Sequence, residues 1–153
     1  MEILPHFWIS NTPKNNSYLH SKQIKNIIFL SNQDEFIKNY HHEQIRIPLK
    51  DLNDNIKQRN IIIYQHLYDV THYIHEQINN NHNVLLVGNE DDEQILDIFI
   101  IAYFMRYGKT TLDYAVYFLF SKKKNCLQPK FYYKECLLKF EQELRKNKTN
   151  NSF

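Results

Sequence analysis

Two four-residue runs, Ile27-Ile28-Phe29-Leu30 and Val84-Leu85-Leu86-Val87, carry no polar side chain and lie between polar or turn residues. A strand with one wet face alternates apolar and polar positions. An unbroken apolar run of this length fits a strand covered on both faces, the environment of a largely parallel sheet between helices. The remaining elements must supply that cover.

Phe7-Trp8-Ile9 ends in the polar cluster Ser10 to Pro13 and reads as a strand and turn, followed by a loop rich in Asn and Ser. Ile45 to Leu49 alternates, with Pro48 confining it to a strand end or edge. Ile63, Leu67, Val70, Ile74 and Ile78 recur at spacings of three and four and predict an amphipathic helix of about four turns between Ile56 and Gln77. After Val87, Gly88 opens a polar turn into an apolar helix that reaches Met105. Gly108 stops it, and Thr110 or Thr111 can cap the next helix, whose inner face would be Leu112, Ala115, Val116, Leu119 and Phe120. Lys122-Lys123-Lys124 breaks that helix and reads as a solvated helix end. A last helix from about Pro129 to Lys146 presents Phe131, Leu137, Leu138, Phe140 and Leu144. Strands alternating with helices predict an α/β domain: a small central, mostly parallel sheet flanked by helices, spanning residues 1–146, with a flexible tail over 147–153.

Composition narrows the function. An even split of 153 residues would leave two units short of core, so one domain is expected. Only two glycines are present, Gly88 and Gly108, which excludes glycine-rich Walker and Rossmann loops. A formal charge of +2 from interspersed acids and bases provides no global field to recruit nucleic acid. Cys126 and Cys136 cannot form a disulfide framework and stand in no metal-ligand spacing, which fits a reducing compartment. Pro5 and His6 stand where a secretory signal would be apolar, and the stretch Ile95 to Met105 is too short to span a bilayer and contains Asp97. An intracellular, cytoplasmic protein without membrane insertion is expected.

In open α/β sheets ligands bind beyond the carboxyl ends of the strands, which directs attention to the loop after Val87. There the chain resembles the cysteine-dependent dual-specificity protein phosphatases, their poxvirus branch most closely. The family's strand, phosphate loop and buried helix ending in Ala-Tyr-Leu-Met have counterparts in Leu85-Leu86-Val87 and Ile98 to Met105, which contains Ala102-Tyr103-Phe104-Met105. Phe7-Trp8-Ile9-Ser10-Asn11 is similar to the family's early Leu-Tyr-Leu-Gly-Asn. Ile47-Pro48-Leu49-Lys50-Asp51 is similar to its Ile-Pro-hydrophobic-x-Asp, and Asp69-Val70-Thr71 and Tyr117-Phe118-Leu119 resemble poxvirus members. The resemblance covers residues 3–145 and implies that family's fold.

It also implies a site, and here the chain departs from the pattern. The family's loop is His-Cys, five residues, Arg, then Ser or Thr. Ungapped counting back from Ala102 places Gly88 on the histidine, Asn89 on the nucleophilic cysteine, Asp92 on the loop glycine, Ile95 on the arginine and Leu96 on the hydroxyl residue. An Asn carboxamide lacks the nucleophilicity of a low-pKa thiolate, and an isoleucine cannot fork onto phosphate oxygens. Glu90, Asp91, Asp92 and Glu93 set four carboxylates where a phosphate dianion would lie. A like-charge pair at about 4 Å costs on the order of 1 kcal/mol in water and about 4 at an effective dielectric of 20. Asp51 matches the family's general acid but would have no leaving group to protonate, so it reads as inherited scaffold.

The expectation is therefore an inactive dual-specificity-phosphatase-like protein, a pseudophosphatase with no catalytic residue and no cofactor. It would act through protein partners as a scaffold or structural component, in a virus particle if the source is viral. Two alternatives remain open: a metal-dependent or otherwise non-classical hydrolase using the acidic loop 90–93, and a phosphoprotein-binding module. The acidic run also suits the first turn of a helix, and it lacks EF-hand spacing. His72 and His75 with Glu76 lack a third ligand for zinc and read as surface or half-buried residues. Cys126 and Cys136 precede no arginine loop and read as structural.

Overall fold

The computed structural model describes residues 1–30, 43–49, 55–88, 92–123 and 133–150. The elements run β1 (Glu2–Leu4), β2 (Phe7–Ser10), α1 (Asn16–Ser21), β3 (Ile24–Phe29), β4 (Glu43–Arg46), α2 (Ile56–Asn79), β5 (Asn83–Val87), α3 (Gln94–Tyr107), α4 (Leu112–Lys122) and α5 (Lys134–Asn150). The five strands form one sheet in the order β1-β2-β5-β3-β4. Among the described residues only β1 and β2 pair antiparallel; β2 with β5, β5 with β3, and β3 with β4 are parallel. The expected small, mostly parallel sheet flanked by helices is the fold observed.

Contacts divide the chain into two compact units, Met1–Asp51 with His72–Leu96, and Leu52–Thr71 with Asp97–Phe153. The first holds the sheet. Its two apolar runs fill the centre, with Ile27, Ile28, Phe29, Leu85, Leu86 and Val87 all buried. On one face Ile27, Phe29, Leu85 and Val87 pack with Leu19 and Ile24, and Trp8 and Tyr18 close the edge of this cluster. Leu19 lies on α1, where a loop was expected. That short helix is nucleated by the Asn15 carboxamide, which accepts the Tyr18 N–H at 2.9 Å, so a residue counted as loop-forming is an N-cap. At the outer edge, Asn26 Nδ2 donates to the Tyr73 hydroxyl at 2.9 Å, and that hydroxyl donates to Glu43. Burial, followed by the Glu43 hydrogen bond, pushes the Tyr73 hydroxyl well above the ordinary phenol value.

The second unit is helical. α2 has 24 residues, well beyond the expected four turns, and Ile63, Leu67 and Val70 on its part of this unit are buried as their spacing predicts. α3 is buried nearly all round: from Ile98 to Met105 every residue is at most 6% exposed. A helix without a wet face is a core helix. Thr111 caps α4 by accepting the Tyr114 N–H at 3.2 Å, and Leu112, Ala115 and Leu119 form its inner face. Phe120 and Leu138, expected on inner faces, are exposed instead. Each lies one position past a buried leucine, so the true stripes are narrower than composition implied. Tyr133, just before α5, and Cys136, Leu137 and Phe140 on it are buried, and the helix runs four residues past Lys146 to Asn150. Phe131 lies outside the described residues.

Arg106 ties α3 to α2 within this unit. Its guanidinium donates to Tyr68 O at 2.7 Å and Thr71 Oγ1 at 3.1 Å, and lies 3.8 Å from the Tyr68 ring centroid. Asn60 does the same for α5, accepting the Cys136 N–H at 3.0 Å and donating to Ile56 O at 2.9 Å.

The end of α3 carries a local conflict. Gly108 donates to Phe104 O at 2.8 Å, and a Cβ there would stand 2.5 Å from that oxygen. The left-handed position is the next residue, Lys109, at φ 53°. A non-glycine residue there costs on the order of 1 kcal/mol. Lys109→Gly is expected to raise stability by about 1 kcal/mol in urea unfolding, and Gly108→Ala to lower it.

Candidate functional site

β5 leaves the sheet at Gly88, whose N–H donates to Ser10 O at 2.7 Å. A Cβ at Gly88 would lie 3.2 Å from Leu96 Cβ and 3.6 Å from Asn11 Cα. Glycine thus suits the close approach of the strand end to the start of α3, where any Cβ would press on Leu96, and is not called for by its dihedral angles. A histidine side chain at this position would need Leu96 to give way. Asn89, Glu90 and Asp91 lie outside the described residues, as does Asp51, so the structure brings together only part of the predicted site.

That part is the head of α3. Asp92 is half-buried, and its carboxylate Oδ1 accepts the Gln94 N–H at 3.0 Å while its carbonyl takes the Ile95 N–H at 3.3 Å. The first N–H groups of a helix have no intrahelical partner and carry its positive end, which makes them the ordinary seat of an anion. Here a carboxylate of the chain itself occupies part of that seat. Glu93 is exposed to solvent. Ile95 and Leu96 are 0% and 1% exposed, so both side chains belong to the core and neither presents a polar group to the loop.

Directly after Leu96 comes Asp97, which the sequence reading used only as an argument against a membrane span. Asp97 is 3% exposed and receives a hydrogen bond from the Lys123 ammonium at 2.7 Å, within the second unit. The expectation of a solvated lysine run at the end of α4 is corrected for Lys123, which is only partly exposed and bound to a buried carboxylate. A signal was available: an aspartate inside the apolar run Ile95 to Met105 needs a partner, because a buried carboxylate is costly unless paired.

The remaining candidates fall apart spatially. His72 Nε2 lies 3.0 Å from Glu76 Oε1, one turn on along α2, and both side chains are exposed. Among the described residues no group of three or more His, Cys, Asp or Glu side chains is placed to hold a metal. Cys136 is buried, and its thiol donates to Tyr133 O at 3.2 Å. Burial pushes that thiol up to about 12. It is the opposite of an activated nucleophile. Cys126 lies outside the described residues. Among the described residues no helix is long and apolar enough to cross a membrane.

With this geometry in view, the comparisons identify the fold. The structure is similar to that of human DUSP28 at a TM-score of 0.77 and 15% identity, covering 95% of this chain and 98% of that one. It is similar to DUSP15 at 0.70 and 18% identity, covering 100% and 96%. The human tyrosine phosphatase-like serine/threonine/tyrosine-interacting protein matches at 0.68 and 20% identity, covering 92% and 94%. No protein-family model matches the sequence, and no curated protein matches it by sequence. The fold is that of the dual-specificity phosphatases.

Two measurements check this description. Lys123→Met removes the ammonium that donates to the buried Asp97 carboxylate and is expected to cost on the order of 3 kcal/mol in urea unfolding, most of it regained when Asp97→Leu is added. The second concerns alkali. The Cys136 thiol is raised from 9.0, and the Tyr64 and Tyr103 hydroxyls from 10.0, each to about 12. The unfolded chain releases these protons first, so stability is expected to fall as pH rises from about 9 towards 12. In a Cys126→Ser background, Cys136 should resist alkylation at pH 8 until the protein unfolds.

Proposed function

We propose that the chain is a catalytically inactive dual-specificity-phosphatase-like protein, a pseudophosphatase, that works through protein partners as a scaffold or structural component. The observation that carries the reading is the head of α3. At the position the resemblance assigns to the phosphate-gripping arginine stands Ile95, wholly buried, while the Asp92 carboxylate takes the Gln94 N–H. A site for a phosphate dianion needs donors and positive charge there. This one supplies an apolar side chain and a negative charge.

The sequence adds that Asn89 stands on the position of the nucleophilic cysteine, with Glu90 and Asp91 following. Asp51, on the position of the general acid, would then protonate nothing and serve only the scaffold. A neighbour in fold, the human tyrosine phosphatase-like serine/threonine/tyrosine-interacting protein, is itself described as phosphatase-like and interacting. Protein partners fit the balance of charge better than nucleic acid, since a net +2 is spread among interspersed acids and bases. The reading places the protein inside the cell, and in the particle if the source is a virus.

The test is turnover of a small aryl phosphate and of a phosphotyrosine peptide, each with and without Mg²⁺ or Mn²⁺. No hydrolysis above buffer is expected, and inorganic phosphate should not raise Tm relative to chloride at equal ionic strength. Hydrolysis that Asn89→Ala or Asp51→Asn abolishes would overturn the reading.

A further inference from the structure

We propose that the open edge of the Arg106 guanidinium, beside the rings of Tyr68 and Tyr107, is the anchor that holds a carboxylate of an acidic partner segment. All these groups belong to the second unit. Arg106 stands in the last turn of α3, and its Nη1 donates to Tyr68 O at 2.7 Å and to Thr71 Oγ1 at 3.1 Å. Those two bonds use both protons of that nitrogen. Three N–H donors are left, one on Nε and two on Nη2. Among the described residues nothing accepts from them, no carboxylate forms an ion pair with Arg106, and neither nitrogen is closed off from solvent. The Nε–Nη2 edge is the side-on fork that meets both oxygens of one carboxylate in parallel.

The fork is held ready. A loose arginine gives up rotamer freedom when it binds, but Arg106 has already given it up on folding. Its Cζ lies 3.8 Å from the Tyr68 ring centroid and 4.9 Å from that of Tyr107. The Tyr107 ring rests in turn on Tyr103, with 5.2 Å between centroids, and Tyr103 is buried. Contact with two rings takes water from around the guanidinium, which strengthens a charge-assisted bond made at its edge. Tyr68 is still 48% exposed, so an arriving chain meets aromatic surface beside the charge. Arginine and tyrosine are among the residue types that dominate binding energy at protein interfaces.

Charge selects the occupant. One fixed cation balances one negative charge, which is what a carboxylate carries. A phosphate group carries close to two and would bring the surplus towards Asp69, the exposed residue next to Tyr68. A segment containing Asp or Glu supplies the carboxylate on a chain that can also cover the Tyr68 ring. That the ligand is part of a protein rests on the reading of this chain as an interaction protein; the open fork does not, and it lies outside the loop after β5.

NMR titration of the ¹⁵N-labelled protein with N-acetyl-tetraglutamate amide, at constant ionic strength, tests it. The Arg106 Nε–H resonance should shift saturably, with half-saturation on the order of 1 mM, and should not move with the tetraglutamine peptide. Arg106→Lys keeps the charge without the fork and should weaken binding about fivefold, followed at the Tyr107 amide. Tyr117→Ser, on α4, should bind as the wild type does. A wild-type resonance that does not shift saturably overturns the proposal, whether or not the lysine variant folds. An equal shift with tetraglutamine overturns it too, as does a folded Arg106→Lys that binds as tightly. Inorganic phosphate that binds this edge more tightly than the peptide overturns the assignment to a carboxylate. The two readings fail separately, because peptide binding at Arg106 and turnover of an aryl phosphate are read in different assays.

Discussion

The central position of β5 is the constraint on which the first unit depends. Its residues Val84 to Val87 pair with β2 on one side and β3 on the other, both in parallel, and all four side chains are buried. Parallel pairing on both edges spends the strand's backbone donors and acceptors on the ladders, while burial on both faces demands apolar side chains at every position. The strand therefore has no freedom of register. A one-residue slip would exchange its faces and carry Asn83 inward. With the strand fixed, its exit is fixed too. Gly88 must leave beside Ser10 and pass close to Leu96, and whatever chemistry the chain possesses at this end of the sheet has to be built from the residues between those points.

The same logic of forced pairing governs the helical unit through α3. A helix buried on all sides cannot send a charge to water, so Asp97 is tolerated only with a cation brought to it, and Lys123 supplies one from the end of α4. Such a pair adds little net stability over two apolar side chains, because desolvation offsets most of the attraction. Its consequence is geometric: it fixes where α4 may end relative to α3. Arg106 acts in the same way at the other end of α3, satisfying Tyr68 O and Thr71 Oγ1 at once. The helix is held by its polar exceptions as well as by its apolar surface.

These features explain which parts of the fold could be read in advance. Ile27 to Leu30 and Val84 to Val87 were legible because burial on both faces leaves an unbroken apolar run, a signal that survives without tertiary context. The stripe Ile63, Leu67, Val70 and Ile74 was legible because its period matches the helix. What escaped depended on one side chain acting locally or on a partner distant in sequence. α1 hangs on the Asn15 cap, and asparagine is equally at home in loops. Phe120 and Leu138 are apolar residues that water touches, and hydrophobic periodicity cannot tell an inner stripe from an outer one when both exist on the same helix. Lys123 lies far from Asp97 in sequence, and no local pattern pairs them. At the candidate site, residue identity was readable but arrangement was not. Gly88 counted as a rare residue on a family position; only the approach of Leu96 shows what the glycine is for.

On the proposed reading, the loop after β5 shows how a binding site can be exchanged for stability without disturbing a fold. A phosphate-binding loop keeps several N–H groups unsatisfied and gathers positive charge around an empty space, an arrangement that costs stability until ligand arrives. Each departure here removes part of that cost. The Asp92 carboxylate satisfies a donor and complements the dipole of α3. Ile95 adds a wholly buried apolar side chain where a guanidinium would have needed water or an anion. Neither change lies in β5, and Ile95 extends the apolar surface of α3 instead of interrupting it. A scaffold whose architecture is fixed by a doubly buried strand can lose the chemistry at its end and keep its shape, leaving its exposed surfaces to carry whatever the protein does.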